Sequence, residues 1–410
     1  MKIKYFLTKI KNKGLSGILK FFNYRIMIIF SPILMKMLPY IYCKKNRIVF
    51  ESFLGKGYQN EPRLVCEKLM SYCKDNDIDV EIVWIIKEEF IKKSDIPSDI
   101  IVRRQGTWGE VLILATSKIW VDNYRKLAHI RKSKKQYYLQ MWHSNGPILK
   151  CVEKDALDGL PKNYKKRAIN DSKMADRFYA ECVWRKHNFI NSFWYDGIIE
   201  ECSSPYTALK NDIEKYNLSI RKKYNLKNKK IVLYAPTFRN DKNFNYADLD
   251  FTKILEKLKK KFGEEWVFCI RLHPGLKLQN LNIPENVVNV TDYPSFDEIL
   301  SISTIFITDY SGTLFKSLRN KTITFIYASD FSDYLRNDRD LYFDLKKLPA
   351  SFSTSSDSLL KAIDNFVYKD YIKKVNTFLN ELGYYPDTKK NVVDTVTDDI
   401  INCLTKGTLK

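Results

Sequence analysis

The sequence predicts an α/β protein built on two doubly wound parallel sheets. Three observations carry that prediction. The chain of 410 residues is longer than one hydrophobic core usually supports. A strand, loop and helix alternation begins at Arg47, and a second round of it follows the polar, charged stretch "KNDIEKYNLSIRKKYNLKNKK". Such repetition marks parallel sheets with crossover helices. Two of them leave a cleft between domains, and ligands of such folds sit beyond the carboxyl ends of the strands.

Residues 1–45 stand apart, because "GLSGILKFFNYRIMIIFSPILMKMLPYIYCKK" mixes apolar and aromatic side chains with Lys20, Arg25, Lys36, Lys44 and Lys45. Its longest uncharged run, Ile26 to Met35, is shorter than the roughly 20 apolar residues of a spanning helix. Pro32 and Pro39 are expected to break the helix, and no small-residue cleavage site follows, which argues against a signal peptide. The expectation is a helical segment lying on an anionic membrane surface. A helical hairpin packed on the protein is the competing reading.

From Arg47 the elements follow in order. "RIVFES" reads as a strand, "FLGKGYQNEP" as a Gly-containing loop, and "RLVCEKLMSYC" as a helix by its apolar spacing. "VEIVWIIK", "IIVRR", "KIWVDN" and "YYLQMW" supply further strands, with "WGEVLILATS" helical. In the second half "IVLYAPTF", "WVFCIRLHP", "VVNVTD", "TIFITDY" and "ITFIYA" read as strands, with helices at "FTKILEKLKKKFG" and "SFDEILSI". The expected division is 1–45, a membrane-surface segment; 46–205, an acceptor domain; and 206–410, a donor domain.

Charge narrows the partners. Lys and Arg number 69 against 48 Asp and Glu, a formal +21, which calls for a polyanionic partner or surface. Individual lysine runs such as "KNKK" and "KLKKKF" are more often solvated helix faces. No zinc-finger spacing, RNP-type motif or basic helix beside a dimerising heptad points to nucleic acid. Eight scattered cysteines with no CxxC pair argue against both a disulfide framework and a structural metal.

The chemistry-bearing motifs fall at strand ends. "QMWHSNGPILK" places His143, one of only four histidines, between Trp142 and a Ser144 to Pro147 turn. "YAPTFR" ends on Arg239, "RLHPG" holds Arg271 and His273, and "TDYSGTLFKSL" opens a helix after Asp309 and Tyr310. The free amides and hydroxyls of Ser311, Gly312 and Thr313 suit a phosphate at a helix start. Taken singly, each motif also has a plain structural reading: a helix cap, a loop histidine, a strand-end histidine bonded to a carbonyl.

Together with "IVFESFLGKGYQNEP" and "DLYFDLKKLP", these segments resemble the CDP-glycerol glycerophosphotransferases and the related CDP-ribitol enzymes of teichoic acid and capsule synthesis. The resemblance covers most of Arg47 to Pro349. It implies two Rossmann-like domains facing a cleft, the glycosyltransferase-B-like arrangement, in a peripheral protein at the cytoplasmic face of the membrane. It implies transfer of glycerol or ribitol phosphate from CDP-glycerol or CDP-ribitol to a polyprenyl-linked glycan or a teichoic or capsular polymer, with release of CMP and without a cofactor or metal.

Carried over by position, His143 and His273 match the family's catalytic histidines. Arg239, Arg271, Asp309, Tyr310, Ser311, Gly312 and Thr313 fall on the donor's side, and Trp142, Gly146 and Lys150 on the acceptor's. The chain departs from the family pattern at Gly312, where a second serine is usual; at Lys316, where an acidic residue is usual; at Thr322; and around Pro205. An imidazole titrates near neutrality, so His143 is the expected base, with His273, Arg239 and Arg271 as phosphate clamp or leaving-group acid. Two other classes stay open at this point: a nucleotide-sugar glycosyltransferase of the same architecture, and a non-enzymatic polyanion- or membrane-binding protein. The absence of a recognisable extra C-terminal module favours a single or short addition.

Overall fold

β-Branched and aromatic runs buried on both faces form parallel strands, and here they form two separate sheets. The computed structural model describes residues 2–143, 150, 154–155, 162–209, 212–237, 239, 248–272, 285–337 and 340–409. The first sheet contains β1 (Lys44–Glu51), β2 (Glu81–Ile86), β3 (Ile101–Arg104), β4 (Ser117–Asp122), β5 (Tyr137–Gln140), β6 (Arg177–Ala180) and β7 (Ile198–Glu201). Its order is β3-β2-β1-β4-β5-β6-β7, parallel throughout. The second contains β8 (Lys230–Ala235), β9 (Trp266–Ile270), β10 (Val287–Asn289), β11 (Ile305–Thr308), β12 (Ile323–Tyr327) and β13 (Ser351–Ser353) in the order β10-β9-β8-β11-β12-β13, again parallel.

In each sheet the winding reverses beside the first strand, between β1 and β4 and between β8 and β11. A crevice opens at such a reversal, so the loops after β1, β4, β8 and β11 are where a ligand is met. Three strands were not read from the sequence. β6, β7 and β13 are only three or four residues long, and Arg177, Glu200 and Glu201 interrupt the apolar pattern of the first two.

The first segment differs from expectation. Lys2–Ile41 is one helix that runs through Pro32 and Pro39. Each proline costs an intrahelical hydrogen bond, and docking compensates: Met27, Ser31 and Met35, spaced four apart, are fully buried, and the two methionines pack with Val111, Leu114 and Trp120. Asn23 also accepts a hydrogen bond from the Trp108 indole at 3.1 Å. The opposite face leaves Ile26, Ile29, Phe30, Ile33 and Met37 exposed. By length and composition alone Leu19–Ile41 is long and apolar enough to cross a membrane, although its longest uncharged run is shorter.

The chain's last helix also departs from the expected division at residue 206. Val392–Lys406 leaves the second sheet and packs Val392, Val393, Val396, Ile400 and Cys403 into the first core, beside Val65, Leu69, Tyr179 and Cys202. A buried charge anchors it. Asp399 accepts from Arg177 at 2.5 Å and from the Tyr179 hydroxyl at 2.7 Å, while Arg177 keeps a second partner, Glu200, at 3.1 Å.

Removing one partner of a buried pair leaves the other charge uncompensated. Asp399→Ala is therefore expected to destabilise the protein by about 3 kcal/mol. Urea unfolding followed by tryptophan fluorescence reads the loss, and a change below about 0.5 kcal/mol would mean that this helix is held by its apolar face alone.

Candidate active site

The loop after β4 carries the first half of the site. Lys126, fully buried, lies 2.6 Å from Glu51 and 2.9 Å from Asp122, the last residues of β1 and β4. Arg125 pairs with Asp171 at 3.0 Å and bonds Ser172 at 2.8 Å, and the Asp171 carboxylate also accepts from the Lys126 amide at 2.9 Å. Burial pushes the Asp122 carboxyl up, and Lys126 opposes that shift. These bonds fix the course of residues 122–126 at the switch point of the first sheet.

Asn123 in that loop acts twice. Its side-chain oxygen accepts from the Phe53 amide at 2.9 Å, and its backbone carbonyl lies 2.9 Å from Nδ1 of His143. A carbonyl oxygen only accepts, so Nδ1 carries the proton and Nε2 holds the lone pair of the neutral ring. Phe53, Tyr124 and Trp142 surround the imidazole, with ring centroids 5.3, 5.1 and 4.6 Å away. Burial lowers the His143 pKa to about 4; the Asn123 carbonyl opposes that, and the charges of Arg185, Lys316 and Arg125 add to it. The ring is thus neutral at physiological pH, with a lone pair available on Nε2.

Trp142 holds this arrangement from behind. Its φ of +57° lies in the left-handed region, a strain of order 1–3 kcal/mol for a residue other than glycine. The buried indole offsets it by stacking parallel to Tyr124 at 6.5 Å and meeting the Arg125 guanidinium at 5.1 Å. Trp142 is therefore a support for His143. Lys150, expected on the acceptor side, is tied to Asp340 at 2.8 Å. Gly146 and the rest of the Ser144 to Pro147 turn lie outside the described residues, as does His273.

The second half of the site is built on Asp309, buried at the end of β11. Its carboxylate accepts from the Thr237 amide at 2.8 Å, the Thr237 hydroxyl at 2.6 Å, the Tyr310 amide at 2.6 Å and Arg239 at 2.7 Å. Arg239 also reaches Asp330 at 2.5 Å, and the Tyr310 hydroxyl donates to Asp330 at 2.9 Å while its ring stacks on Tyr334. Arg239, Asp309 and Tyr310 thus pair with one another beneath the turn. Ser311 Oγ accepts from the Thr313 amide at 3.2 Å and from its hydroxyl at 2.8 Å, so the Thr313 hydroxyl is engaged by Ser311 rather than standing in for a serine at position 312. Arg271 gives its guanidinium to the carbonyls of Tyr293 at 2.6 Å and Val290 at 3.3 Å, and burial lowers its pKa to about 10.

Between the two halves lies an inter-domain cavity lined by Glu181, Ser204, Asp297, Gly312, Lys316 and Tyr384, among others. Burial raises the Glu181 carboxyl to about 7, against the pull of Lys316. Gly312 of the second domain lines this cavity, and Lys316 on the same wall acts electrostatically on His143 of the first. Sequence reading missed the contacts of Asn123, Phe53 and Tyr124 with His143, and Glu181 and Asp297 on the cavity wall. Asn123 directly follows β4, so its position was visible, but a backbone carbonyl leaves no trace in residue type. Among the described residues no group of three or more His, Cys, Asp or Glu side chains could hold a metal ion.

Comparison with known proteins decides between the readings left open. The family model for CDP-glycerol:poly(glycerophosphate) glycerophosphotransferase matches residues 33–400. The chain belongs to this family. Among similar glycerophosphotransferases is the teichoic acid poly(glycerol phosphate) polymerase of Bacillus spizizenii, 27% identical over 85% of this chain and 91% of that protein. The teichoic acid glycerol-phosphate transferase of Staphylococcus aureus is also 27% identical, over 78% of this chain and 83% of its own length. Against the longer poly(glycerol phosphate) polymerase of Bacillus subtilis the chain is 26% identical and spans 55% of the relative. A solved structure of the wall teichoic acid polymerase TagF superposes with a TM-score of 0.78 at 23% identity, covering 96% of this chain and 99% of that one, a likeness of fold.

Proposed function

We propose that this glycerophosphotransferase moves glycerol phosphate, or ribitol phosphate, from a CDP-alditol to a hydroxyl of a lipid-linked or polymeric cell-surface glycan and releases CMP. The observation that carries the reading is the hydrogen bond from His143 Nδ1 to the Asn123 carbonyl, which leaves Nε2 as a proton acceptor at the switch point of the first sheet. In the proposed reaction the acceptor oxygen attacks the distal phosphorus of the donor. The bond from that phosphorus to the CMP oxygen breaks, and the hydroxyl proton passes to Nε2. Ser311, Gly312 and Thr313 are assigned to the donor's phosphates, with Arg239, Asp309 and Tyr310 shaping the turn beneath them. Arg271 contributes by exchanging its carbonyl partners for oxygens of the diphosphate, and His273 by protonating the departing CMP. The arrangement of two domains about the cleft is read as glycosyltransferase-B-like, with the acceptor approaching past Gly146.

The protein with CDP-glycerol and CDP-ribitol side by side, over a panel of lipid-linked and polymeric acceptors, is expected to release CMP from at least one donor. Loss of a single general base typically costs about 10²–10⁴-fold, so His143→Ala should fall by that amount while still binding cytidine nucleotide. Release of a nucleoside diphosphate from nucleotide sugars instead would transfer the protein to the glycosyltransferases. Equal CMP release by the His143→Ala variant would remove the base.

We further propose that the first helix seats the enzyme peripherally on the cytoplasmic leaflet, with Ile26, Ile29, Phe30 and Ile33 in the interface. Support comes from its two faces: one is docked on the domain through Met27 and Met35, while the other is apolar and exposed, flanked by Lys20, Arg25 and Lys36. Such a helix binds by apolar burial together with salt-screened attraction to anionic lipid. Cosedimentation with anionic vesicles should weaken with salt without vanishing, and Ile29→Asp with Ile33→Asp should abolish the salt-resistant part without lowering Tm. Unchanged binding by that double variant would place the attachment on the basic domain surface, and carbonate-resistant insertion would make the helix a span.

A further inference from the structure

Lys316 of the second domain reaches across the cleft to the first. Its ammonium lies 3.1 Å from Glu61 and 2.8 and 2.9 Å from the two oxygens of Asp297. Glu61 opens the helix Asn60–Asp75 of the first domain, Asp297 opens Phe296–Ser301 of the second, and Lys316 stands one turn into Thr313–Arg319. Three helix starts from two domains thus converge on one cation. The same two outer helices are joined a second time, where Arg63 donates to Glu298.

The contact continues into the site. The other carboxylate oxygen of Glu61 accepts from the Asn123 side-chain amide at 3.5 Å, and the Asn123 carbonyl holds His143. A chain of polar contacts therefore runs from the helix behind the Ser311–Gly312 turn, through Lys316, Glu61 and Asn123, to the imidazole. We propose that Lys316 is a positioning residue for the transfer step, a cation that ties Glu61 to Asp297 across the cleft and sets the electrostatic field in which His143 works. The inference rests on the reading of His143 as the base.

The alternatives for Lys316 are weaker on the same geometry. Two carboxylates already hold the ammonium, with Glu181 on the same cavity wall, so a donor phosphate would have to displace them. Burial disfavours the Lys316 charge, but Asp297 and Glu61 outweigh that and keep the ammonium protonated. Of the three cations acting on His143, Arg125 is bound to Asp171 and Arg185 bonds Asn188, both within the first domain. Lys316 alone among these three comes from the second, so its field on His143 depends on how the domains meet.

Titration of histidine-labelled protein by NMR tests this, with the His143 signal assigned through His143→Gln and kcat and KM measured across pH on the same samples. Lys316→Met is expected to move the His143 titration and the acidic limb of kcat upward together, to lower kcat at least 10-fold and to change KM less; Lys316→Arg should restore both. Lys316→Gln repeats the test should the methionine variant fail to fold. A His143 titration unmoved in the folded variant, or a rise in donor KM with an unmoved titration, would overturn the proposal. Undiminished turnover by His143→Gln would instead sink the base assignment, and the titration arm distinguishes the two failures.

Discussion

The hydrogen bond between the Asn123 carbonyl and Nδ1 of His143 is the contact on which the proposed chemistry rests, because it selects the tautomer and leaves the lone pair on Nε2. Nothing in the histidine itself secures that bond. It exists because Asn123 is fixed at the carboxyl end of β4, and that position is held by buried charge: Lys126 between Glu51 and Asp122, and Arg125 on Asp171. Buried pairs of this kind contribute little net stability, yet breaking one leaves an uncompensated ion, so they resist small displacements. The cluster trades stability for geometry, and the strained Trp142 does likewise.

The second domain solves the matching problem with the same means. Asp309 gathers four donors at the end of β11, and Arg239 closes the set onto Asp330. The Ser311–Gly312 turn is thereby carried on a rigid base, with its hydroxyls already engaged. Each sheet so presents a loop at its switch point over a buried ion cluster.

Much of this was legible in the sequence because strands buried on both faces are nearly continuous apolar runs, as in "IVWII" of β2 and "WVFCI" of β9. The described motif residues then fell at their carboxyl ends by topology alone. β6 and β7 were illegible because their charges interrupt the apolar pattern and find partners only in the folded chain, and β13, "SFS", because it holds a single apolar residue. Proline signals misled at Pro32 and Pro39, where docking of Met27 and Met35 outweighs local propensity. The last helix shows the same limit: its apolar stripe fits either core, and only the buried Asp399 contacts reveal which. For the candidate site, residue type drew attention to His143 and the Ser311 turn, whereas the Asn123 contact runs through its backbone and those of Lys316 through partners 19 and 255 residues away in sequence.

A base with a pKa near 4 is neutral but weak, and the account requires that the substrate itself strengthen it. Two donor phosphates placed against the imidazole favour its protonated form, as a nearby opposite charge does for any cation. The direct test is the NMR titration of His143 with and without saturating CDP-alditol in the absence of acceptor. The account predicts a clear upward move of the His143 titration on donor binding, with the proton retained on Nδ1 below and above it. A titration that stays near its ligand-free position while the donor is demonstrably bound would place the phosphates away from His143 and contradict the assignment of the cleft.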